Sequence, residues 1–224
     1  MTQAPPSLLP ADTQTILPPQ AAVSRGYMVC KRAIDLIGAT VALAILALPM
    51  ALVALLIKLE SRGPVFFVQY RLGEHGIPFR FYKFRSMVVN AEDIRSELEA
   101  VNEASGPVFK IRQDPRMTRI GRLIRRTSLD ETPQLFHVLT GKMSLVGPRP
   151  PLPEEVENYE PWQRERLAVR PGLTCIWQIS GRSDIPFERW VELDIEYVRR
   201  RSLWMDLKIL LLTIPAVLSG RGAY

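Results

Sequence analysis

The chain has 224 residues and a formal net charge of +6, with 47% hydrophobic and 23% charged residues. This length accommodates one domain with a sizeable core plus an appendage, and the charge favours anionic partners: phosphates, nucleic acid or an acidic membrane surface. The two cysteines have neither metal-ligand nor redox spacing, and there are only two histidines. This composition argues against a zinc site and predicts reduced thiols in a cytosol-facing protein.

The first part of the chain is rich in proline and almost uncharged. Residues 1–24 contain five prolines and no apolar periodicity, which is typical of disorder. The basic residues and the apolar segment come too late for a secretory signal. We therefore predict a disordered tail over residues 1–27.

The next feature is an uncharged apolar run of 22 residues, 36–57. A membrane-crossing helix needs about 20 such residues. Pro49 interrupts the run and leaves two short arms, and Asp35 at its start is better tolerated at an interface than deeper in the bilayer. Both flanks are basic, which draws both ends to the cytoplasm. We predict a re-entrant helical hairpin within a membrane-embedded segment 28–62; the alternative is a single span kinked at the proline.

Residues 63–224 contain most of the lysines and arginines. Because basic segments stay on the cytoplasmic side of a membrane, we predict that these residues form one cytoplasmic domain. Its predicted elements are strands 65–71 and 79–84, helices 90–103 and 117–126, strand 143–146, helix 154–168, strand 173–179, and helices 187–200 and 203–218. The last helix carries Trp204 beside arginines and is interrupted at Pro215. This pattern predicts an interfacial helix at the level of the lipid headgroups; the alternative is a buried core helix.

Two adjacent carboxylates, Asp130 and Glu131, lie where a helix should begin. Thr132 suits the N-cap, and Pro133 suits the first helical position because its missing N–H would be unpaired there anyway. The plainer alternative is a capping box of Ser128 and Glu131 that starts a helix one turn earlier.

The residues around the two carboxylates favour a catalytic or binding role over the helix-capping alternative. Seven lysines and arginines lie between Lys110 and Arg126, against the single carboxylate of Asp114. Such a density suits anionic oxygens. A carboxylate pair beside guanidinium groups and a helix N-terminus indicates a phosphate site, in which one carboxylate can attack and the other can hold a divalent cation.

A second motif follows shortly after, Gly147-Pro148-Arg149-Pro150. The two prolines fix the backbone on both sides of the arginine, which limits the entropy lost when it clamps a phosphate or a ring.

Several motifs in order resemble the bacterial sugar transferases, the monotopic polyprenyl-phosphate phosphoglycosyl transferases. The resemblance covers roughly residues 28–224. The matching runs are Lys31-Arg32-Ala33-Ile34-Asp35, Tyr82-Lys83-Phe84-Arg85-Ser86-Met87, Leu129-Asp130-Glu131-Thr132-Pro133-Gln134, Gly147-Pro148-Arg149-Pro150, Arg170-Pro171-Gly172-Leu173-Thr174, Ser180-Gly181-Arg182 and Gly220-Arg221-Gly222-Ala223-Tyr224. The chain departs from the family at Leu48-Pro49, where a Ser-Pro pair is common, and at Cys175, where glycine is common.

The resemblance implies transfer of a sugar-1-phosphate from a UDP-sugar to undecaprenyl phosphate, with release of UMP, as the first membrane step in the biosynthesis of an exopolysaccharide or other surface glycan. It implies that Asp130 is the nucleophile that forms an aspartyl-phosphosugar intermediate, and that Glu131, together with Asp130, holds Mg²⁺. The positions implied in donor binding or activity are Lys83, Pro148, Arg149, Pro150, Arg182 and Asp206.

The elements and the resemblance together predict a mixed α/β, helix-dominated fold: a monotopic membrane protein with an N-terminal re-entrant helical hairpin and one cytoplasmic catalytic domain with interfacial amphipathic helices. The expected location is the bacterial inner membrane, with the catalytic domain facing the cytoplasm. The expected partners are the UDP-sugar, undecaprenyl phosphate and the bilayer, and a homodimer is compatible with the sequence.

Two other functions were considered. A membrane-tethered basic domain could bind nucleic acid or another anionic polymer, but the sequence has no recognisable nucleic-acid motif, so we expect no such partner. A phosphate hydrolase could use the same carboxylates and metal. The transferred sugar is not encoded in any readable motif, although the C-terminal pattern favours glucose or galactose.

Overall fold

The computed structural model describes residues 23–103, 105–181, 185–220 and 222. Most of the tail predicted for residues 1–27 therefore lies outside the described residues, as does Arg182. Within the described part the chain is helix-dominated and contains short strands, as the sequence predicts for a mixed α/β fold.

The α-helices of the described ranges are α1 (Arg25–Glu60), α2 (Ala91–Arg95), α3 (Arg119–Arg126), α4 (Leu135–Leu139), α5 (Pro153–Glu157), α6 (Ile176–Ser180), α7 (Phe187–Arg200) and α8 (Leu203–Ser219). The strands are β1 (Phe66–Leu72), β2 (Pro78–Phe84), β3 (Ser144–Val146) and β4 (Gly172–Thr174). Short 3-10 helices occur at Glu74–Gly76, Ser96–Val101, Leu129–Gln134 and Pro161–Ala168.

Helix α1 contains the predicted membrane segment. It begins at Arg25, where the Ser24 hydroxyl accepts a hydrogen bond from the Tyr27 N–H (3.1 Å), and it continues through Pro49. Among the described residues, α1 is the helix that is long and apolar enough to cross a membrane. Its outer face is exposed at residues such as Leu48, which is the surface expected of a lipid-facing helix.

The first turns of α1 are bound to the rest of the fold by charged side chains. Asp35 is buried, and its Oδ1 accepts hydrogen bonds from the Leu145 N–H (2.8 Å) and the Ser144 hydroxyl (2.9 Å). Arg32 donates to two carbonyls at the end of α4. Asp35 is therefore stabilised by strand β3 rather than only by its basic neighbours in sequence.

The other end of α1 packs on the same domain. Val53 and Ile57 form a buried cluster with Phe84 of β2 and Ile124 of α3. The Glu60 carboxylate accepts from the N–H of Ile120 at the start of α3. Both ends of α1 thus contact elements that lie close to one another.

Strands β1 and β2 form an antiparallel hairpin, which confirms the strands predicted at 65–71 and 79–84. In this register Phe67 lies opposite Lys83, and Arg71 lies opposite Phe79. The turn contains His75 with φ 59°. Because side chains alternate along a strand, Phe81 and Lys83 of β2 lie on one face of the hairpin.

Two predicted helices are shorter than expected. The helix expected at 90–103 is the five-residue α2 followed by the 3-10 helix Ser96–Val101, and the one expected at 154–168 is α5 followed by the 3-10 helix Pro161–Ala168. In the second case Pro161 forces the preceding residue out of helical geometry, with ψ 155° at Glu160.

The strand predicted at 173–179 is wrong beyond Thr174. Strand β4 has three residues, and the apolar residues after it form α6. A short apolar run does not distinguish a buried strand from a buried helix, and this one is divided between the two.

Helices α7 and α8 lie close to the predicted positions 187–200 and 203–218. Helix α8 continues through Pro215, and its apolar side chains are mostly exposed, including Trp204 (76%) and Leu218 (81%). The buried-core alternative for this helix is therefore wrong. Its exposed apolar surface is compatible with the predicted interfacial helix.

The largest core cluster joins one residue or more from most of these elements, including Ala39 of α1, Phe81 of β2, Val138 of α4, Val146 of β3 and Tyr197 of α7. At its edge, β3 and β4 form a parallel pair. The Gly147 N–H donates to Thr174 O (3.0 Å), and the Gly172 N–H donates to Pro148 O (2.8 Å). The two glycine backbones approach so closely that a Cβ on Gly172 would overlap the backbone of Gly147.

We expect Gly172→Ala to lower the free energy of unfolding by about 1–3 kcal/mol, because the added methyl group must push the two strands apart. Thermal unfolding in lipid nanodiscs measures this loss. Gly26→Ala is the matched control, because a Cβ there meets only Ser24 Oγ at an ordinary contact distance of 3.8 Å. Equal unfolding temperatures for the two variants would contradict the close approach of β3 and β4.

Candidate active site

The two adjacent carboxylates lie in the first turn of the 3-10 helix Leu129–Gln134. The predicted helix start at Thr132 and Pro133 is wrong. Ser128 has a left-handed backbone (φ 57°) and begins the helix earlier, while the Thr132 hydroxyl donates to Leu129 O (2.8 Å) instead of capping. The capping-box alternative has the right helix start, but the Ser128 side chain makes no capping hydrogen bond.

Glu131 is held by two cations from different elements. Its Oε1 accepts from Arg149 Nη2 (2.6 Å) and from Lys83 Nζ (3.4 Å). Burial raises the pKa of Glu131, but Arg149 and Lys83 outweigh burial and hold that pKa well below its usual range. Glu131 is thus a permanent anion, and the three predicted site residues Glu131, Lys83 and Arg149 meet at one oxygen.

Asp130 has a different environment from its neighbour. It is only 5% exposed, and its carboxylate accepts no hydrogen bond from the described residues. Burial and the charge of Glu131 raise the pKa of Asp130 to about 6, although Lys83, Arg125 and Arg149 act in the opposite direction. At neutral pH it is mostly a poorly solvated carboxylate, a form suited to nucleophilic attack.

Lys83 lies on β2, with its ammonium 5.6 Å from the centre of the Phe81 ring. Burial and the positive charge of Arg149 lower the pKa of Lys83 to about 8, although Glu131 and Asp130 favour its charged form. Its charge is therefore present at neutral pH and is lost in mildly alkaline solution.

The turn 147–150 is fixed through its carbonyl groups. Arg71 Nη1 donates to Pro150 O (2.8 Å), and Arg166 Nη2 approaches Arg149 O at 3.4 Å. Arg166 is itself buried in an ion pair with Asp194. Sequence reasoning identified Pro148, Arg149 and Pro150 but missed Arg71 and Arg166, because a single arginine in a strand or helix has no distinctive spacing.

Asp206 lies in a separate buried cluster. Its carboxylate accepts from Tyr27 Oη (3.1 Å) and Tyr197 Oη (2.7 Å) and pairs with Lys31 Nζ (3.1 Å). Lys31 Nζ also donates to Val146 O (3.0 Å), and Tyr197 Oη lies 3.1 Å from the same oxygen. Asp206 is thus connected to the strand that leads into the turn through Lys31 and Tyr197, and its described contacts do not include Asp130 or Glu131.

The basic run before the two carboxylates is only partly directed at them. Arg116 forms a buried ion pair with Asp114 (2.7 Å) and so has a structural role. Arg125 Nε donates to the Ser86 hydroxyl (3.0 Å), and the positive charge of Arg125 acts to lower the pKa of Asp130. The basic run therefore does not act as one unit on the two carboxylates.

The described residues contain no group of three or more His, Cys, Asp and Glu side chains that could hold a metal ion. Magnesium, however, is commonly bound through one or two carboxylates, with water and substrate phosphates as its other ligands. Asp130 and Glu131 supply hard carboxylate oxygens, and those of Asp130 are not used by described donors. This donor set fits Mg²⁺ bound together with a phosphate-bearing substrate.

The sequence profile of the family described as Bacterial sugar transferase matches residues 26–220, and the chain therefore belongs to that family. This confirms the resemblance found in the sequence.

Three relatives illustrate the similarity. The galactosyl transferase CpsE of Streptococcus agalactiae is 46% identical over 198 residues, which cover 88% of this chain and 44% of the relative. The undecaprenyl-phosphate glucose phosphotransferase of Komagataeibacter xylinus is 45% identical over 219 residues, covering 90% and 38%. The exopolysaccharide production protein ExoY of Rhizobium meliloti is 40% identical over 198 residues, covering 87% and 88%. The chain thus spans less than half the length of the first two relatives and most of the third.

The electrostatic arrangement predicts opposite responses of Asp130 to two substitutions. Lys83→Gln should raise the pKa of Asp130 above about 6, because it removes a cation that stabilises the carboxylate. Glu131→Gln should lower it, because it removes the neighbouring negative charge. Carboxyl ¹³C NMR of aspartate-labelled protein in nanodiscs measures both shifts. Arg80→Gln, at an exposed arginine of the same strand as Lys83, should leave the titration unchanged; shifts of the same sign in the first two variants would contradict the arrangement.

Proposed function

We propose that this chain transfers a sugar-1-phosphate from a UDP-sugar to undecaprenyl phosphate. The observation that carries the proposal is that the two adjacent carboxylates, Asp130 and Glu131, differ in their hydrogen-bond partners. Arg149 and Lys83 hold Glu131, while the buried carboxylate of Asp130 accepts no hydrogen bond from the described residues. The name of the Komagataeibacter relative, an undecaprenyl-phosphate glucose phosphotransferase, supports this substrate class.

The reaction proceeds in two displacements. In the first, an Asp130 carboxylate oxygen attacks the β-phosphorus of the UDP-sugar, and the bond from that phosphorus to the bridging oxygen breaks, so that UMP leaves with the oxygen and its electrons. In the second, a phosphate oxygen of undecaprenyl phosphate attacks the phosphorus of the aspartyl phosphosugar, and Asp130 leaves as a carboxylate. Double displacement of this kind gives ping-pong kinetics.

The cations around the two carboxylates neutralise the diphosphate. The negative charges of the donor and of Asp130 repel one another, and positive groups fixed in a water-poor site reduce that repulsion during attack. Arg149 contributes this charge from a turn whose Pro148 and Pro150 limit its backbone freedom. Arg182 is assigned to the donor through the sequence resemblance alone.

Glu131 and Asp130 are the residues that would hold Mg²⁺ with the donor. When bound, the ion supplies charge neutralisation for the diphosphate and for the leaving phosphate. Glu131 Oε1 is already engaged with Lys83 and Arg149, which orients the carboxylate and keeps it ionised.

The membrane supplies the second substrate. The exposed apolar surfaces of α1 and α8 suit a lipid boundary, and the phosphate of a polyprenyl phosphate lies at that boundary. Both ends of α1 pack on the same domain, through Asp35 on β3 and through Ile57 beside Phe84. This supports a re-entrant α1 in the inner membrane, with residues 63–224 on the cytoplasmic side, where the nucleotide sugar is made available.

The chain provides its own probe of this topology. Cys30 is exposed at the start of α1, whereas Cys175 is buried and burial raises the pKa of its thiol well above the usual range. A membrane-impermeant maleimide should label Cys30 in inverted membrane vesicles and fail to label it in intact spheroplasts. Cys30→Ser controls for other thiols. Labelling in spheroplasts would support a single span with an external N-terminus and contradict the re-entrant topology.

The reaction is tested by UMP release from a panel of UDP-sugars, including UDP-glucose and UDP-galactose, with Mg²⁺ and undecaprenyl phosphate. Asp130→Asn should reduce lipid-dependent UMP release by a factor of about 1,000 or more, because the nucleophile is lost. Without lipid, the wild type should release close to one UMP per enzyme and carry a phosphosugar on Asp130, detectable by mass spectrometry.

The matched control is Asp93→Asn, at an exposed carboxylate of α2, which should retain full activity. Normal turnover of Asp130→Asn would rule out the proposed nucleophile. Continuous UMP release at full rate without a lipid phosphate would instead identify a hydrolase.

A further inference from the structure

Arg71, at the end of β1, bridges two parts of the candidate active site. Its Nη1 donates to Pro150 O (2.8 Å) in the turn that carries Arg149. Its Nε and Nη2 donate to Gln69 Oε1 at 3.2 and 3.0 Å. The guanidinium also lies 5.4 Å from the centre of the Phe81 ring, which Lys83 contacts as well. The orientation of Arg71 is thus fixed by groups on its own hairpin, and its Nη1 is directed at the turn.

The hydrogen-bond acceptors of Arg71 are neutral oxygens, and no ion pair among the described residues includes it. Burial lowers the pKa of Arg71 to about 10; Glu155 and Glu131 favour its charged form, and Arg149 opposes it. A desolvated cation without a close carboxylate costs folding free energy. Arg71 therefore joins two parts of the candidate site without an ion pair of its own.

Arg71 connects the two elements that supply the cationic partners of Glu131. Lys83 and Arg149 belong to different elements, yet both must reach Glu131 Oε1. Lys83 is on β2, which pairs with β1 along its whole length. The bond from Arg71 to Pro150 O therefore ties the hairpin that carries Lys83 to the turn that carries Arg149. A backbone bond from the Leu72 N–H to Pro151 O (3.0 Å) continues this junction.

We propose that Arg71 is a positioning residue that holds the turn so that the Arg149 guanidinium faces both Glu131 and the diphosphate of the donor. The inference rests on the proposed function. It assigns to Arg71 an action through Arg149 rather than a contact with the reacting atoms.

A double-mutant cycle separates this action from a general effect on folding. If Arg71 acts through Arg149, its removal should matter only while Arg149 is present. We expect Arg71→Gln to lower kcat/KM for UMP release by a factor of about 30 in the wild-type background, mostly through kcat, and by less than about 3 in the Arg149→Lys background. Arg80→Gln, on the same hairpin but exposed, should leave both backgrounds unchanged.

Equal losses in the two backgrounds would overturn the positioning role while leaving the transferase reaction intact. A wild type that releases no UMP with any donor would overturn both proposals. Thermal unfolding shows whether Arg71→Gln is folded. If it is not, Gln69→Ala removes the acceptor that orients Arg71 and should give a smaller loss, about 3- to 10-fold, that again disappears with Arg149→Lys.

Discussion

The site depends on one carboxylate oxygen, Glu131 Oε1, which receives hydrogen bonds from Arg149 and Lys83. The turn and the hairpin that supply these cations are separate in sequence, and the 3-10 helix that supplies Glu131 lies between them. A buried anion with two cationic partners is stable, whereas each of these charges alone would be expensive to desolvate. Glu131 thus fixes the relative positions of the elements around the candidate site.

The 3-10 geometry allows the neighbouring carboxylate to behave differently. With three residues per turn, adjacent side chains point about 120° apart. Glu131 therefore faces its two cations, while Asp130 occupies a buried position without a described hydrogen-bond donor. The two environments move the pKa values of the pair in opposite directions, so that the two adjacent carboxylates differ in their chemistry. An ordinary helix start at Thr132 would have left both residues in an irregular segment with no fixed angle between them.

The sequence predicted those features whose cause is local, such as the apolar length of α1, the alternation in β1 and β2, and the two prolines around Arg149. The sequence did not predict the features that are determined by contacts between residues far apart in the chain. The start of the 3-10 helix depends on the left-handed backbone of Ser128, a conformation that serine seldom adopts without support from the surrounding fold. Arg71 and Arg166 could not be identified for a similar reason: their significance comes from carbonyl groups of a turn far along the chain.

Asp206 shows how the lipid-facing surfaces relate to the site. It lies on α8 and pairs with Lys31 of α1, and Lys31 in turn donates to Val146 O, one residue before the turn that carries Arg149. Both helices with exposed apolar faces are therefore joined at the strand that leads to Arg149. Because Asp206 is 2% exposed, loss of either partner would leave a buried charge, at a cost of about 3–5 kcal/mol. Helices α1 and α8 cannot separate from each other without breaking the Lys31–Asp206 ion pair, and Lys31 also holds the strand that precedes the turn of Arg149.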